Sequence, residues 1–306
     1  MTDSFPKKLV FKDSLKNFLF AFPAIAIFCI FYIVPFIEVF RLSLMEWNGT
    51  FPPPEFIGAD NFIEQAQDKL WWGSMVNAGF ITIIALTFQN ILAFALALAC
   101  DREIKARRFY RVVFFIPPVL SEIVVGIIWQ WILYSGMQGG EHIGLLNYLL
   151  AKTGLPHLVH NWLSDPKTAL ACISIVHCWK GFGWGFVLFL AGLQTIDKQL
   201  YEAAKVDGAG GWNVFRHITV PMMAPIIVVV MILTVLGSMQ IFIVMIAMVG
   251  QGGLADYTSV PVLQILFSMN GAKRFGYACS QSIIFGLILI CVSAFFKIIS
   301  NRVKQA

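Results

Sequence analysis

The chain has 306 residues, of which 58% are hydrophobic and only 13% are charged, and its mean hydropathy is +0.76. Soluble domains carry about 25% charged residues, so the composition excludes an ordinary water-soluble protein and indicates one solvated by a lipid bilayer. The net charge of +5 comes from basic residues dispersed among short loops, which argues against nucleic acid as a partner. Six cysteines lie in or beside apolar stretches without zinc-like spacing, so we expect small buried hydrophobes and no metal site.

Six apolar segments follow one another along the chain, each long enough to cross the ~30 Å of hydrocarbon as a helix. Backbone polar groups cannot be left unpaired in lipid, so the predicted fold class is an all-α membrane protein with six transmembrane helices. We expect an N-terminal segment 1–17, one transmembrane domain 18–300 and a C-terminal segment 301–306. The predicted spans are 18–40, 74–99, 112–134, 169–193, 221–249 and 277–300.

The orientation of these spans follows from the basic residues beside them. Lysines precede the first span and no small-residue cleavage site follows it, so it is predicted to be a retained span rather than a signal peptide. Basic residues are concentrated in the N-terminal segment, the loops 100–111 and 194–220 and the C-terminus, and they are sparse in 41–73, 135–168 and 250–276. The positive-inside rule therefore predicts a multi-pass cytoplasmic-membrane protein with both termini in the cytoplasm.

Proline and glycine interrupt three of the spans. Pro117-Pro118 is predicted to open the third span, and Pro221 with Pro225 to start the fifth. The glycines of Gly181-Phe-Gly-Trp-Gly185 in the fourth span have two interpretations. They either break the helix beside a water-filled cavity or let another helix approach closely.

The loop 194–220 between the fourth and fifth spans is charged and rich in glycine. Asp197 is a predicted N-cap for a short helix over 198–206, and Asp207-Gly208 is predicted to end it. An apolar side ringed by charge is typical of a surface that binds a partner. That side is formed by Leu200, Ala203, Ala204 and Val206.

The same loop carries a recognisable signature. Glu202-Ala203-Ala204, Gly208, Ile218 and Pro221 reproduce the EAA motif, with Val220 in place of the usual Leu. The chain thus resembles the permease subunit of a binding-protein-dependent ABC importer, which implies a MetI-like six-helix fold. Further pieces resemble the maltose-, lactose- and glycerol-3-phosphate-type permeases: Phe56-Ile-Gly-Ala-Asp-Asn-Phe62, Arg108-Phe-Tyr-Arg-Val-Val-Phe-Phe-Ile-Pro117, Gly144-Leu-Leu-Asn147, Trp162-Leu-Ser-Asp-Pro166 and Phe189-Leu-Ala-Gly-Leu-Gln-Thr-Ile196.

The resemblance implies a set of partners and a coupling site. The partners are a second, different permease subunit, two ATP-binding subunits docked at the EAA loop and an extracytoplasmic solute-binding protein. The chain has no GxxxxGK[ST] loop, so we expect no catalytic residue and no bound cofactor, with ATP and Mg used by the ATP-binding subunits. The implied substrate is a sugar or oligosaccharide, moved by alternating access. The coupling residues are Glu202, Ala203, Ala204, Asp207, Gly208 and Pro221.

Ionisable residues inside spans are candidates for a substrate path, because an unpaired charge in the bilayer is costly. Glu122, His177 and Lys180 are such residues, and Gln89, Asn90 and Gln240 add neutral polarity. The resemblance places sugar contacts at Glu122, His177, Gly181, Trp184, Gly237 and Ser238. Glu122 and His177 stand where the maltose permease has neutral polar side chains, so they contact a different substrate or pair with each other. The competing interpretation is structural hydrogen bonding between helices, since in some carbohydrate permeases only one of the two subunits contacts the sugar.

Other functions fit the sequence less well. A membrane-embedded transferase would need clustered Asp and His or paired carboxylates on one membrane face, and no such cluster is evident. A stand-alone channel or secondary transporter would leave the EAA loop unexplained. Within ABC importers, a permease for glycerol-3-phosphate or another small polar solute, such as an amino acid or polyamine, remains the alternative.

Overall fold

The computed structural model describes residues 7–102, 105–250 and 255–305. They fall into two compact units, one within Met1–Gln67 and Ile265–Ile284 and the other within Asp68–Gln264 and Phe285–Ala306. Parts of the predicted terminal segments 1–17 and 301–306, and of the loops 100–111 and 250–276, lie outside the described residues.

Helices make up most of the described chain. The earlier ones are α1 (Lys7–Phe28), α2 (Val34–Ser43), α3 (Asp60–Gln67), α4 (Lys69–Ile84), α5 (Asn90–Asp101), α6 (Arg107–Val119), α7 (Glu122–Ile132) and α8 (Leu145–Lys152). The later ones are α9 (Pro166–Leu193), α10 (Lys198–Val206), α11 (Gly211–Val214), α12 (Val220–Met239), α13 (Ile243–Val249), α14 (Ala255–Thr258), α15 (Pro261–Leu266) and α16 (Phe275–Gln305). A 3₁₀ turn covers Pro156–Leu158, and π-helical turns cover Cys29–Ile33, Ala85–Gln89, Phe215–Thr219 and Phe267–Gly271.

Strands are confined to two short antiparallel pairs within the described residues. β1 (Met45–Glu46) pairs with β2 (Glu55–Phe56), and β3 (Met137–Gln138) pairs with β4 (Glu141–His142). Both pairs lie in segments that connect apolar helices, so they shape loops and add no layer to the fold.

Five helical segments of the described residues are long and apolar enough to cross a membrane. A sixth candidate is the pair α6 and α7, which is bent by 94° at a short break. The predicted number of spans is therefore reached only when the bent pair is counted as one. The five unbroken segments are Asn17–Ser43, Lys69–Asp101, Pro166–Leu193, Gly211–Met239 and Phe275–Ile298.

The bend between α6 and α7 corrects the predicted start of the third span. Pro117 and Pro118 do not open it, because they lie in the last turn of α6. Neither has an N–H to donate to the carbonyl one turn earlier, which weakens the end of the helix. The backbone is then extended at Leu120 and Ser121 before α7 begins at Glu122.

The range predicted for the fifth span is divided between two helices. The range 221–249 is not one helix, because the helical segment runs from Gly211 to Met239 and α13 is separate. Pro221 lies in the first turn of α12, as predicted, but helical backbone already precedes it from Gly211. It follows the π-helical turn Phe215–Thr219, and this wider turn accommodates a residue that cannot donate a backbone hydrogen bond.

The core of the second unit lies where α5, α9 and α12 meet. Phe182, Phe186 and Phe189 of α9 are buried in one cluster with small residues of α5. Helix α9 is continuous, so the glycine run does not break it. A Cβ at Gly183 would lie 2.5 Å from the carbonyl oxygen of Phe114 on α6, which makes close helix packing the correct interpretation at this position.

A buried asparagine holds the connecting segment of each unit. In the first unit, the Asn61 amide donates to the carbonyls of Ser43 and Met45 at 2.9 and 3.0 Å. Glu64, also in α3, accepts two hydrogen bonds from the Arg274 guanidinium, at 2.7 and 2.5 Å. These hydrogen bonds are the main reason why the pKa of Arg274 is raised. These contacts fix the loop that follows α2 to the segment that precedes α16.

In the second unit the asparagine is Asn147 of α8, which is fully buried. Its Nδ2 donates to the carbonyls of His160 at 2.9 Å and Tyr134 at 3.5 Å. Its Oδ1 accepts from the Trp162 indole at 2.7 Å and from the backbone N–H of His160 at 3.4 Å. The two sequence pieces that contain Asn147 and Trp162 are thus joined by hydrogen bonds.

Candidate functional site

A cavity of about 350 Å³ lies within the second unit, between the middle of α9, the N-terminus of α7, the π-helical turn before α5 and the last turns of α12. Its volume is at the lower end of the ~300–1,000 Å³ range of small-molecule pockets. Chain segments far apart in sequence meet here. The predicted path residues Glu122, His177, Lys180, Gly181, Trp184 and Gly237 all line it.

Ser238 is the predicted path residue that does not line the cavity. It is fully buried, and its hydroxyl lies 2.9 Å from the Thr82 hydroxyl of α4 and 2.7 Å from the Thr234 carbonyl. Its place beside Gly237 in sequence puts it on the adjacent face of α12, about 100° away. Ser238 therefore belongs to the packing between α12 and α4.

The two opposite charges of the cavity form an ion pair. The Lys180 ammonium lies 3.4 Å from Glu122 Oε1, and the side chains are 16% and 44% exposed, respectively. Glu122 stands in the first turn of α7, where the helix dipole favours a carboxylate. The pairing suggested for Glu122 and His177 is therefore replaced by a pairing with Lys180, while His177 lines the same cavity.

Gln89 is a cavity residue that the sequence analysis noted only as neutral polarity. Its side chain is 6% exposed, and its Oε1 has no hydrogen-bond partner among the described residues. The amide lies close against α9, since a Cβ at Gly181 would be 2.6 Å from that oxygen. A buried acceptor without a partner costs about 1–3 kcal/mol, so this oxygen is poised to accept from a ligand.

The remaining wall contains the aromatic ring of Trp184 and the hydroxyl of Thr234. Trp184 is exposed and its ring lies edge-on to Phe115, with centroids 5.5 Å apart. On α12 the Thr234 hydroxyl donates to Asn90 Oδ1 at 3.1 Å. An indole face can stack on the apolar face of a saccharide ring, while the polar atoms bind its hydroxyls.

Helical spacing is the signal that could have extended the predicted list. Leu188 follows Trp184 by one turn of α9, and Thr234 precedes Gly237 by three residues on α12, so each shares a face with a residue already named. Gln89 has no such signal. It lies in the π-helical turn before α5, and none of the residues predicted to contact the sugar lies on that helix, so only tertiary packing brings Gln89 to the cavity.

The coupling segment adopts the predicted helix. Helix α10 begins after Asp197, whose carboxylate accepts from the Gln199 N–H at 2.9 Å, and it ends at Val206. Gly208 follows with φ +73°, and the Ala209 N–H donates to the Ala204 carbonyl at 2.9 Å. This is the glycine-ended helix terminus predicted from Asp207-Gly208.

One side of α10 packs on the protein and the other is exposed. Ala204 is buried, and the Tyr201 hydroxyl lies 3.2 Å from the Thr219 hydroxyl in the helical segment leading to α12. This corrects the prediction that Ala204 is part of the exposed apolar side. Glu202, Ala203 and Val206 are exposed, Val206 by 88%.

Beyond Gly208, an aromatic pair continues this surface. Trp212 is exposed and stacks on Phe215, with ring centroids 5.5 Å apart. Phe215 also contacts Phe94 of α5, at 6.1 Å between centroids. The exposed surface of α10 and α11 is therefore attached to the core through Tyr201 and Phe215.

Several apolar spans, a cavity between them with charged and polar lining residues, and an exposed helix on a connecting loop are typical of a membrane transport subunit. The chain belongs to the family of binding-protein-dependent transport system inner membrane components, whose family model matches residues 89–305. The resemblance identified from the EAA motif is thus confirmed, and the protein is a multi-pass membrane component of a transport system.

Relatives and a solved structure extend this likeness along the chain. The diacetylchitobiose uptake system permease protein of Streptomyces coelicolor is 31% identical over 96% of this chain and 85% of its own length. The probable starch degradation products transport system permease protein of Thermoanaerobacterium thermosulfurigenes is 27% identical over 94% of both chains. A bacterial alginate ABC transporter, solved in complex with an alginate pentasaccharide-bound periplasmic protein, has a chain that is 21% identical with a TM-score of 0.81, covering 96% of this chain and 97% of that one. The expected permease fold is confirmed by this structural likeness.

Proposed function

We propose that this chain is the permease subunit of an ABC importer for a sugar or oligosaccharide, and that the substrate passes the cavity between α7, α9 and α12. The single observation that carries this proposal is the convergence of separated path residues on one cavity. The names of the relatives support a carbohydrate substrate, since two of them serve diacetylchitobiose and starch degradation products.

In the proposed mechanism, α10 receives force from an ATP-binding subunit. Glu202 and Ala203 on its exposed side dock into that subunit, where ATP and Mg are bound and hydrolysed. Gly208 ends the helix, so Asp207 and the following turn stay at the docking surface. The Tyr201–Thr219 contact then transmits rotation of α10 to the segment Gly211–Met239, which contributes Thr234 and Gly237 to the cavity. Pro221 lies in that segment just beyond its π-helical turn.

The proposed assembly contains this chain, a second and different permease, two ATP-binding subunits and an extracytoplasmic binding protein. Both termini and α10 face the cytoplasm of the bacterial or archaeal cell. The excess of basic residues on that side supports this orientation. In this assembly the chain itself hydrolyses no ATP.

The test is uptake into proteoliposomes that contain the complete complex and enclose ATP, with the binding protein outside. Wild type is expected to accumulate a neutral oligosaccharide only when ATP is present. Glu202→Lys is expected to lower uptake by about tenfold or more, which corresponds to about 1.4 kcal/mol of lost coupling. Glu141→Lys, on an exposed strand away from α10, is the matched control and should leave uptake unchanged.

Two results would contradict the proposal. Uptake by wild type without ATP would remove the ABC mechanism. ATP-driven uptake at the wild-type rate in the Glu202→Lys complex would remove the docking role of α10.

A further inference from the structure

Two hydrogen-bond acceptors of the cavity are available to a ligand. Gln89 Oε1 is an acceptor without a partner, and the Glu122 carboxylate is the more exposed member of its ion pair. Lys180 is mostly buried, and its charge is neutralised by Glu122 at 3.4 Å. The cavity therefore presents an unpartnered amide oxygen and a partly exposed carboxylate, while the Lys180 ammonium is mostly buried and paired.

We propose that Gln89 and Glu122 form an acceptor pair that selects the substrate by its hydrogen-bond donors, so that this permease passes uncharged saccharides and rejects those carrying a carboxylate or phosphate. The inference rests on the proposed function and narrows its substrate class. It also adds Gln89 as a specificity-determining residue.

Two physical effects act in the same direction. A sugar hydroxyl donates a charge-assisted hydrogen bond to Glu122 and relieves the unpaired oxygen of Gln89. An anionic sugar has acceptors where these atoms need donors, and it meets the Glu122 carboxylate, which is 44% exposed, rather than the Lys180 ammonium, which is 16% exposed. His177 does not reverse this balance, since a neutral imidazole carries one donor and one acceptor.

Steric features of the cavity fit a saccharide ring held against these acceptors. Gly181 leaves the room that the Gln89 amide occupies. A side chain at Gly237 would meet no atom within 4 Å of its Cβ, so the opposite wall is open. Trp184 of α9 supplies an exposed aromatic face on the same wall as Lys180. A ring stacked on Trp184 directs its equatorial hydroxyls outward, towards polar side chains of the walls.

The test measures binding to the complete complex in nanodiscs, without the binding protein, by saturation-transfer NMR. The probes are maltose, cellobiose and N,N′-diacetylchitobiose, each beside its counterpart with a C6 carboxylate. Wild type is expected to bind at least one neutral disaccharide at least about tenfold more tightly than the acidic counterpart. Equal or tighter binding of the acidic counterpart would overturn the proposal.

Glu122→Gln removes the negative charge and leaves Lys180 available to an anion. The preference is expected to shift by about tenfold or more towards the acidic counterpart. Glu38→Gln is the matched control, because it breaks an exposed ion pair with Arg41 that does not line the cavity. An unchanged preference in Glu122→Gln, or an equal shift in Glu38→Gln, would overturn the charge selection.

Gln89→Leu keeps the volume and removes the acceptor, and it carries the test if the Glu122 variant does not assemble. Binding of the neutral disaccharide is expected to fall about five- to tenfold, and an unchanged affinity would overturn the role of Gln89. Failure of the proposed function is distinguishable, since no sugar would then be taken up by the complete system with ATP. Uptake of a neutral sugar without charge preference in the cavity overturns only the selection.

Discussion

Asn147 and Gln89 are both buried amides of the second unit, but their surroundings differ. Both ends of the Asn147 amide are hydrogen-bonded, to Tyr134, His160 and Trp162. The Gln89 oxygen has no partner among the described residues and lines a cavity. The difference separates a polar group that holds the fold from one that is available to a ligand.

The comparison gives a rule for polar residues inside this protein. Burial alone does not identify the functional ones, because Asn147, Ser238 and Gln89 are all buried. A missing hydrogen-bond partner together with a place in the cavity wall distinguishes Gln89 from Asn147 and Ser238.

The largest effect is expected from Asn147→Ala. The change removes the hydrogen bonds of the amide and leaves the Trp162 indole and the His160 carbonyl without that partner. The expected loss of stability is about 2–4 kcal/mol, measured as a lower Tm of the purified complex. Asn213→Ala, at an exposed position of α11, is the control and should change the Tm little. A Tm equal to that of wild type in Asn147→Ala would break the comparison.

A smaller loss of stability is expected when a side chain is added at a glycine, and its size depends on whether the space beside that glycine is occupied. Gly183→Val places atoms against the Phe114 carbonyl and the Pro118 ring, and should cost about 1–3 kcal/mol because α6 must move from α9. Gly237→Val enters open space beside the cavity, so we expect a nearly unchanged Tm but slower uptake. Thermal unfolding should therefore show a lower Tm for Gly183→Val, whereas uptake assays should show the main effect of Gly237→Val.

Gln89→Leu is expected to change stability in the opposite direction to Asn147→Ala, or not at all. Removing an acceptor that has no partner should leave stability unchanged or raise it by up to about 1 kcal/mol, in contrast to Asn147→Ala. Sugar binding should fall in the same variant. A large drop in the Tm of Gln89→Leu would assign this amide to the fold instead.

The smallest effect concerns the edge of the Asn147 network, at Asp165. The Lys167 N–H, and then His160 at 2.7 Å, hold the pKa of the Asp165 carboxyl below its usual 3.8. A lowered folded-state pKa means that the stabilisation is present above the ordinary pKa and is lost as the pH falls through the folded-state value. The Tm difference between wild type and Asp165→Asn should shrink as the pH is lowered from about 5 to 3. A difference that is constant over this range would contradict the assignment.

The local features of the coupling segment were predictable from the sequence. The N-cap at Asp197, the helix to Val206 and the glycine end at Gly208 depend on interactions within a few residues, and the structure has all three. The partial burial of its apolar side was not predictable from the segment alone, because Ala204 is buried on the side of α10 where Tyr201 contacts Thr219, 18 residues further along the chain.

The cavity shows the same division. Its ionisable residues could be named because charge inside an apolar span is rare, but the partner of Glu122 could not. Lys180 and His177 lie within one turn of each other on α9, so only the position of α7 decides which of them meets the carboxylate. That position depends on the bend after Val119, where two prolines and the packing of α6 on α9 act together.

By itself the sequence determined the membrane solvent, the approximate spans, the helix of the coupling segment and the family. These follow from chain length, apolar runs and local caps, because lipid forces a backbone to satisfy its own hydrogen bonds. Only the tertiary structure decided where the helix predicted over 221–249 breaks, which glycines contact another helix and that the Gln89 oxygen has no partner. Those properties depend on atoms brought together from distant parts of the chain, and a pattern along one segment does not contain them.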